Sequence, residues 1–579
     1  MASLLRRQKA LRNPWCLSRA SVAITLVVLF SIQINLSQVP NVAPLSEKQS
    51  LLLIDLQNLA AQAANLTSRL ARARANAEIA DPLWTLDEQR AKELLGEAYT
   101  LTSPDPVPNG SSASSGSKNK FSIPTPLESA RRELRTRVLQ LAFRDRAFAG
   151  SLIKPQKDTE NTSAPSDIRM LAKQAFREND IEAGSKYLID AIHAEPTAIS
   201  VTTINELAKT DRAAADKLIM EYLTVLRSIP LLSPEDQAYV YLGLFQVIFT
   251  NLIPAQKVPP AGPEVMRAYL VYVLDNLSAL EQASPGSVRR FRSVLLYAWP
   301  SVNQYAPDLI PSFIKLEVLS RSSKETGPIP NIDEIVAANK KSQNKQLEQN
   351  LESENPDPMV IQAGIRNGEF NKVRKAIDRM EEGDAKDQLL DLVNAREAMA
   401  LTARGSIDRA EALALRLRGA VRIIEAYEPL IAKSDKPAQK ISLGYRALEQ
   451  LRRASNQPEI PPMVPAGLAP TGKEIDPKLR SLSKLFLIIV SLDNDLAQSV
   501  LQETILAMNR TDVDSGQGRL GFDPNVFREA TARNQLQAEQ AVSSITDPLR
   551  RIVATAVVDK WKLDDLKQRV TTKNLTVAK

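Results

Sequence analysis

The stretch that decides the fold runs from Asn179 to Pro196 and reads NDIEAGSKYLIDAIHAEP. Gly184 and Ala191 lie about two helical turns apart, and their small side chains let a second helix approach closely. Tyr187 lies between them and is large enough to fill the groove of that neighbour. Proline lacks a backbone N–H and cannot continue a helix, so the helix is expected to end before Pro196. The stretch predicts one member of a tightly packed helix pair.

This stretch resembles the second half of a tetratricopeptide repeat. The resemblance is carried by the turn Asn179–Ile181, Gly184, Tyr187 and Leu188, Ala191 with Ile192, and the final Pro196. Two further stretches resemble the same half repeat, one through Gly368, Glu369, Phe370, Val373, Ala376 and Ile377, the other through Gly405, Ser406, Ile407, Ala410, Leu413 and Leu417. The copies are irregularly spaced. The resemblance implies an irregular α-solenoid of antiparallel helix pairs, whose concave face receives segments of other proteins.

The rest of the chain reads as helical too. Alternating Val, Ile and Thr with hairpin turn pairs is absent throughout, so we predict an all-α fold with an N-terminal membrane segment. Changes of composition divide the 579 residues into seven segments. They are 1–40 (basic segment with a signal anchor or signal peptide), 45–101 (long heptad-patterned helical hairpin), 102–126 (disordered Ser/Gly/Pro linker), 127–322 and 331–455 (helical repeat arrays), 456–477 (Pro-rich linker) and 478–579 (C-terminal helical block).

The N-terminal sequence predicts targeting to a membrane. Five basic residues and no acid lie among the first 40 residues, which leaves +2 of the net charge of +7 for the remainder, too little for a nucleic-acid-binding face. An apolar segment, Val22–Leu36, follows them, as in an uncleaved signal anchor or a cleaved signal peptide. Its membrane-facing residues are Val22, Ile24, Leu26, Val27, Val28, Leu29, Phe30 and Ile32. We expect the bulk of the chain in the periplasm or outside the cell, and a secreted protein if the signal is cleaved.

Apolar residues from Leu45 to Ala77 follow the four-and-three spacing of a heptad seam. This predicts one long amphipathic helix, which either dimerises as a coiled coil or folds back on a second helix. The pair Asp81 and Pro82 is typical of a helix start and would begin that second helix, with Trp84 on its apolar side.

The residues that carry familiar chemistry are scarce. The single histidine, His193, excludes a two-histidine metal cluster, and we expect it on the surface. Ser481 and Lys484 have a Ser-x-x-Lys spacing but lack the companion motifs of penicillin-recognising enzymes. The loop from Asp512 to Asp523 departs from both a calcium loop and a dinucleotide fingerprint and predicts a glycine-rich turn. We predict no metal and no cofactor.

These patterns favour a non-enzymatic, membrane-anchored or exported helical-repeat scaffold that binds a protein or peptide partner through residues 166–455. Two alternatives stay open. One is an envelope hydrolase that uses carboxylates alone inside the helical array, which would require convergent acids with a shifted pKa in a cleft. The other is a structural protein that self-assembles through the 45–77 helix. The oligomeric state is not determined by the sequence.

Overall fold

The computed structural model describes residues 45–103, 125–153, 164–195, 201–230, 232, 234–249, 258–321, 341, 345, 347–353, 356–454, 476–511 and 518–577. Two compact units divide the chain, Met1–Ile54 and Asp55–Lys579. The predicted membrane segment Val22–Leu36, Pro196 and most of both predicted linkers lie outside the described residues. In the part that is described, no helix combines the length and apolar character that crossing a membrane requires.

The described residues form helices joined by turns, with no β-strand, and the fold is all-α. The α-helices up to residue 320 are α1 Glu47–Ala64, α2 Arg69–Leu83, α3 Glu88–Leu101, α4 Pro126–Ala142, α5 Arg146–Ile153, α6 Ala164–Arg177, α7 Ile181–Ala194, α8 Val201–Thr210, α9 Arg212–Ser228, α10 Pro234–Ile248, α11 Pro263–Ala283, α12 Arg292–Tyr305 and α13 Ile310–Ser320. Short 3₁₀ helices span Ser287–Phe291 and Pro307–Leu309.

The later α-helices are α14 Pro358–Arg366, α15 Phe370–Asp378, α16 Asp384–Ala403, α17 Ile407–Ala414, α18 Ala420–Lys433, α19 Pro437–Arg453, α20 Pro477–Ile489, α21 Asn494–Arg510, α22 Asn525–Arg533, α23 Gln535–Ser543 and α24 Pro548–Val577. Most helices contact the next helix along the chain, the next but one, or both. Helices in contact across a turn of a few residues run antiparallel. This packing order is that of an array of helix pairs.

Helix starts follow local chemistry. Asp87, Asp211 and Asp493 each accept a hydrogen bond from a backbone N–H of the first turn of α3, α9 and α21, respectively. Thr125 and Glu128 form a reciprocal capping box at the start of α4. These caps satisfy N–H groups that have no partner inside the helix.

The three turns of the repeat-like stretches share one backbone geometry. Asn179, Gly368 and Gly405 all have positive φ, at 60°, 77° and 81°. In each turn the following residue donates its N–H to the carbonyl five residues back: Asp180 to Ala175 (2.9 Å), Glu369 to Gly364 (3.0 Å) and Ser406 to Leu401 (2.9 Å). This is the Schellman motif, which ends one helix and starts the next immediately. The copies therefore share their turn as well as their side-chain pattern.

The predicted long helix from Leu45 to Ala77 is two helices. The chain leaves α1 after Ala64 and turns at Asn65–Ser68, where the Ser68 hydroxyl caps α2. Asp81 and Pro82 also differ from the prediction, because they lie in the last turn of α2 and α3 begins only at Glu88. A proline near a helix end can still continue it when the preceding turn is held by other contacts.

Helix α2 lies at the centre of the second unit. Nearly all of its residues are buried, including five alanines, and it packs on α3, α4 and α24. Helix α24 thus packs on α2, near the start of this unit, so that the two ends of the array meet. Six of the seven seam residues from Leu56 onward are buried inside this unit: Leu56, Leu59, Ala63, Leu70, Ala73 and Ala77, while Leu66 is partly buried. They are not exposed to a second copy of the chain.

Candidate functional site

A cleft opens where the two ends of the array meet. Its volume is about 760 Å³, within the size range of ligand pockets, and its walls come from α2, α4, α22 and α24. The charged lining residues are Arg74, Glu78, Asp81, Glu133, Arg137, Arg528, Lys560, Asp564 and Asp565. Trp561 supplies an aromatic wall, and Thr136, Gln140, Asn525 and Gln568 supply neutral polar groups. The lining is therefore polar and of mixed charge. We call it the junction cleft.

Asp81 is the charged centre of the junction cleft. Its side chain is only 5% exposed, and Lys560 of α24 lies 2.7 Å from its Oδ2 atom. Arg137 of α4 lies 3.4 Å from the same oxygen, and Arg144 forms an ion pair with Oδ1 and donates to the Asp81 carbonyl at 3.0 Å. One carboxylate thus contacts three cations, two from α4 and the turn after it and one from α24. The contact with Lys560 links residues 479 positions apart.

The electrostatics of Asp81 are decided by these cations. Burial by itself raises the pKa of a carboxyl, because it disfavours the charged form. Lys560 and Arg144 outweigh that effect and hold the pKa of Asp81 below its ordinary value. Asp81 is therefore ionised at neutral pH and unsuited to act as a general acid.

Glu78 lies one turn before Asp81 on the same buried helix. Arg137 donates to both of its oxygens, from Nε at 3.2 Å and from Nη2 at 2.9 Å. Arg74 lies 3.7 Å from Glu78 and 3.5 Å from Glu133. The fork of Arg137 holds Glu78 bidentately, a geometry that fixes both side chains.

The loop before α22 packs against α2, which forms one wall of the cleft. Gly518 has φ +63°, and a Cβ atom at this position would lie 2.5 Å from the carbonyl oxygen of Leu70 in α2. Arg550 is buried and donates to the carbonyl of Leu520 at 3.0 Å and to that of Met508. Of the predicted glycine-rich turn, residues 512–517 lie outside the described residues. Its described residues, from Gly518 onward, form a turn between helices that packs on α2.

The residues predicted to pack the repeats lie at helix contacts. Gly184, Leu188, Ala191 and Ala410 are buried, and a Cβ atom on Gly184 would lie 2.4 Å from the Phe176 ring. Tyr187 is partly buried, with its ring edge-on to Phe143, and Phe370 packs on the cluster around Val373. Gly368 and Gly405 form the turns described above. These residues do not line the junction cleft. Of the cleft residues, sequence reasoning singled out Asp81 and Pro82, and only as a helix start.

Other buried acids have raised pKa values but lie elsewhere. Burial raises the pKa of each of three aspartates, Asp167, Asp391 and Asp559, above the ordinary value for aspartate. Asp167 accepts from Tyr99 at 2.8 Å and pairs with Arg135, and Asp391 accepts from two backbone N–H groups. None of the three lines the junction cleft. Their raised pKa values therefore belong to helix contacts outside that cleft.

The remaining sequence candidates are separate from the cleft. His193 is exposed on α7. Ser481 is buried, whereas the Lys484 ammonium lies 2.6 Å from Glu428. No group of three metal-binding side chains is found within the described ranges.

Comparison with known proteins gives little further information. No protein-family model matches the chain, and no curated protein matches it. Among solved structures, a circular tandem repeat protein with novel repeat topology and enhanced subunit contact surfaces is similar, at 14% identity over 92% of this chain and 99% of that chain, with a TM-score of 0.12. The helical-array description used here depends on the helix packing of this chain itself.

Proposed function

We propose that this chain is a helical-repeat scaffold that binds an extended segment of a partner protein in the junction cleft. One observation carries the proposal: two non-consecutive parts of the array come together and leave an open cleft with an aromatic wall and side chains of both charges. Surfaces that recognise protein segments combine an aromatic residue with polar groups in this way. The deepest carboxylates are already held by arginine and lysine, which favours binding over acid catalysis.

The position of the cleft changes where the partner is expected. The tetratricopeptide-like stretches lie in residues 166–455, and the sequence directed the partner there. The junction cleft is lined instead by residues from 74 to 140 and from 524 to 568. We therefore propose the junction as the principal site, with the repeat helices as the frame that holds the two ends together.

We also propose that the N-terminal segment holds the scaffold at a membrane or directs its export. The support is the sequence alone: the basic residues before Val22–Leu36, and the absence of acids among the first 40 residues. Protease accessibility of the full-length protein in sealed membrane vesicles tests the orientation. Protection of residues 45–577 on the side away from the cytoplasm is the expected result, and digestion from the cytoplasmic side would overturn it.

Site-directed photo-cross-linking in the native host tests the binding site. A benzophenone amino acid replaces Gln568, which is exposed at the cleft, or Gln540, an exposed glutamine on α23 outside it. We expect one recurrent protein cross-linked from position 568 and not from position 540. Trp561→Ala should reduce that cross-link, because it removes the aromatic wall. Equal labelling from both positions, or none from position 568, would reject the junction cleft as the binding site.

A further inference from the structure

The ion-pair network at the junction cleft contains more cations than carboxylates. Following the contacts from Asp81 through Glu78 to Glu133, the network contains four cationic side chains, those of Arg74, Arg137, Arg144 and Lys560, and three carboxylates. One positive charge is left over in this network, although the whole lining of the cleft has five carboxylates and four cations, so the surplus is local to the buried end around Asp81. The surplus is greatest at Asp81, where a single carboxylate is shared among three cations.

Three of these cations line the cleft, and two of them are well exposed there, whereas Arg74 keeps only 14% of its side-chain surface exposed. Arg137 and Lys560 line it and keep 36% and 40% of their side-chain surface exposed. Arg144 is not part of the lining and lies behind Asp81. Nε and Nη2 of Arg137 are bound to Glu78 and Asp81, which leaves the N–H donors of Nη1 for a group that enters the cleft. The Lys560 ammonium has three N–H donors and uses one of them on Asp81.

We infer that the partner segment inserts a carboxylate, from an Asp or Glu side chain or a C-terminus, between Arg137 and Lys560. The inference rests on the proposed function and names the chemistry of its anchor. A second carboxylate here would balance the surplus charge and form charge-assisted hydrogen bonds with both cations. Trp561 is the neighbour of Lys560 in sequence and offers an apolar face to the residue beside the anchor.

The edge of the cleft limits which acidic segments fit. Glu133 is 63% exposed, and Asp564 is exposed on the next turn of α24 after Lys560. Their negative charges repel a continuous acidic run, because like charges in contact destabilise a complex. The partner is therefore expected to carry one isolated carboxylate with neutral or basic neighbours.

A random library of immobilised 12-residue peptides, presented to the detergent-solubilised full-length protein, tests the inference. We expect the enriched peptides to share one Asp, Glu or free C-terminal carboxylate and to bind about tenfold more weakly when that residue is changed to Asn or Gln. Binding should weaken in high salt. Enriched peptides with a shared Lys or Arg, or with no shared charge, would overturn the inference, as would a failure to enrich any peptide.

Variants of the same protein locate the anchor. Lys560→Gln should lose the preference for acid, and Lys560→Arg should keep it. Arg551→Gln, at an exposed position of α24 outside the cleft, should leave the preference unchanged. Circular dichroism confirms that each variant is folded. Loss of preference in Arg551→Gln but not in Lys560→Gln contradicts the assigned position. If position 568 cross-links a native partner but the peptides show no acid preference, only this inference fails. If position 568 cross-links nothing, the proposed function fails.

Discussion

The Asp391 carboxylate accepts a hydrogen bond from the backbone N–H of Gly419 at 2.6 Å, and so links the middle of α16 to the start of α18. The same arrangement occurs once more, where Asp216 of α9 accepts from the N–H of Gly262 at 2.9 Å, at the start of α11. In both cases an acid on one helix caps the next helix but one. A Cβ atom on either glycine would lie 3.2 Å from the carboxylate, so glycine allows the close approach.

Replacement of Asp391 by Ala should therefore destabilise the array. The cap satisfies the N–H groups of Arg418 and Gly419 and lies at the positive end of α18, so its loss should cost about 1–2 kcal/mol. Urea denaturation followed by the helical circular dichroism signal measures the change. Asp190→Ala, at an exposed position in α7, is the matched control and should change the midpoint little. Equal effects of the two variants would show that the cap does not contribute.

Replacement of Gly518 by Ala should disrupt the junction. The new methyl group would overlap the Leu70 carbonyl, and the positive φ adds strain of about 1 kcal/mol. Gly286→Ala separates the two effects, because Gly286 also has positive φ (+86°) but has nothing within 4 Å of the added Cβ. We expect Gly518→Ala to lower the melting temperature clearly more than Gly286→Ala. The explanation by overlap is wrong if the two variants melt alike.

Replacement of Gly184 by Ala should destabilise the α6–α7 pair, because the methyl group would have to displace the Phe176 ring, and overpacking costs about 1–3 kcal/mol. Gly96→Ala should do the opposite. Gly96 lies within α3 with open space around it, so Ala should stabilise that helix by up to about 1 kcal/mol. Thermal melts of both variants give the sign of each change, and a stabilising effect of Gly184→Ala would contradict the packing.

Asp559 should make stability depend on pH. Its side chain is about 2% exposed, and this burial raises its pKa. The negative charges of Asp55 and Glu539 raise the pKa further, whereas the Lys562 ammonium, 3.1 Å away, lowers it. A carboxyl whose pKa is raised by folding favours the folded state when protonated, so stability should fall as the pH rises above about 4 through the raised pKa. Asp559→Asn should remove that part of the slope. Denaturation midpoints of both proteins across this pH range provide the measurement, and parallel curves would contradict the prediction.

Asp81 should make stability depend on pH in the opposite direction. Its pKa is lowered in the folded protein, so its contribution is present above its ordinary pKa and is lost as the pH falls through the lowered value. Asp81→Asn leaves three cations around a neutral amide and should cost about 3–5 kcal/mol at pH 7. The difference from the unchanged protein should shrink below about pH 4. A penalty that stays constant down to low pH would show that the charge of Asp81 is not what stabilises the junction.

The helical class of the fold could be predicted from local patterns, because helix periodicity, caps and turn residues act within a few positions of the chain. The turns at Asn179, Gly368 and Gly405 were found in this way, and their shared backbone geometry is now explained by positive φ. The break after Ala64 was missed, because the heptad spacing continues across it while the Ser68 cap interrupts the backbone. The Asp81–Pro82 pair was misread for a related reason: a start signal was outweighed by the packing around α2.

By itself the sequence determined that the described chain is built from helices and that the three repeat-like stretches turn at Asn179, Gly368 and Gly405. Only the tertiary structure decided that α24 packs on α2, and hence that Lys560 meets Asp81 across 479 positions and that a cleft of mixed charge opens there. Local preferences act over a few residues, whereas the meeting of α2 with α24 depends on the summed geometry of the helix pairs between them. No short sequence pattern predicts that overall geometry.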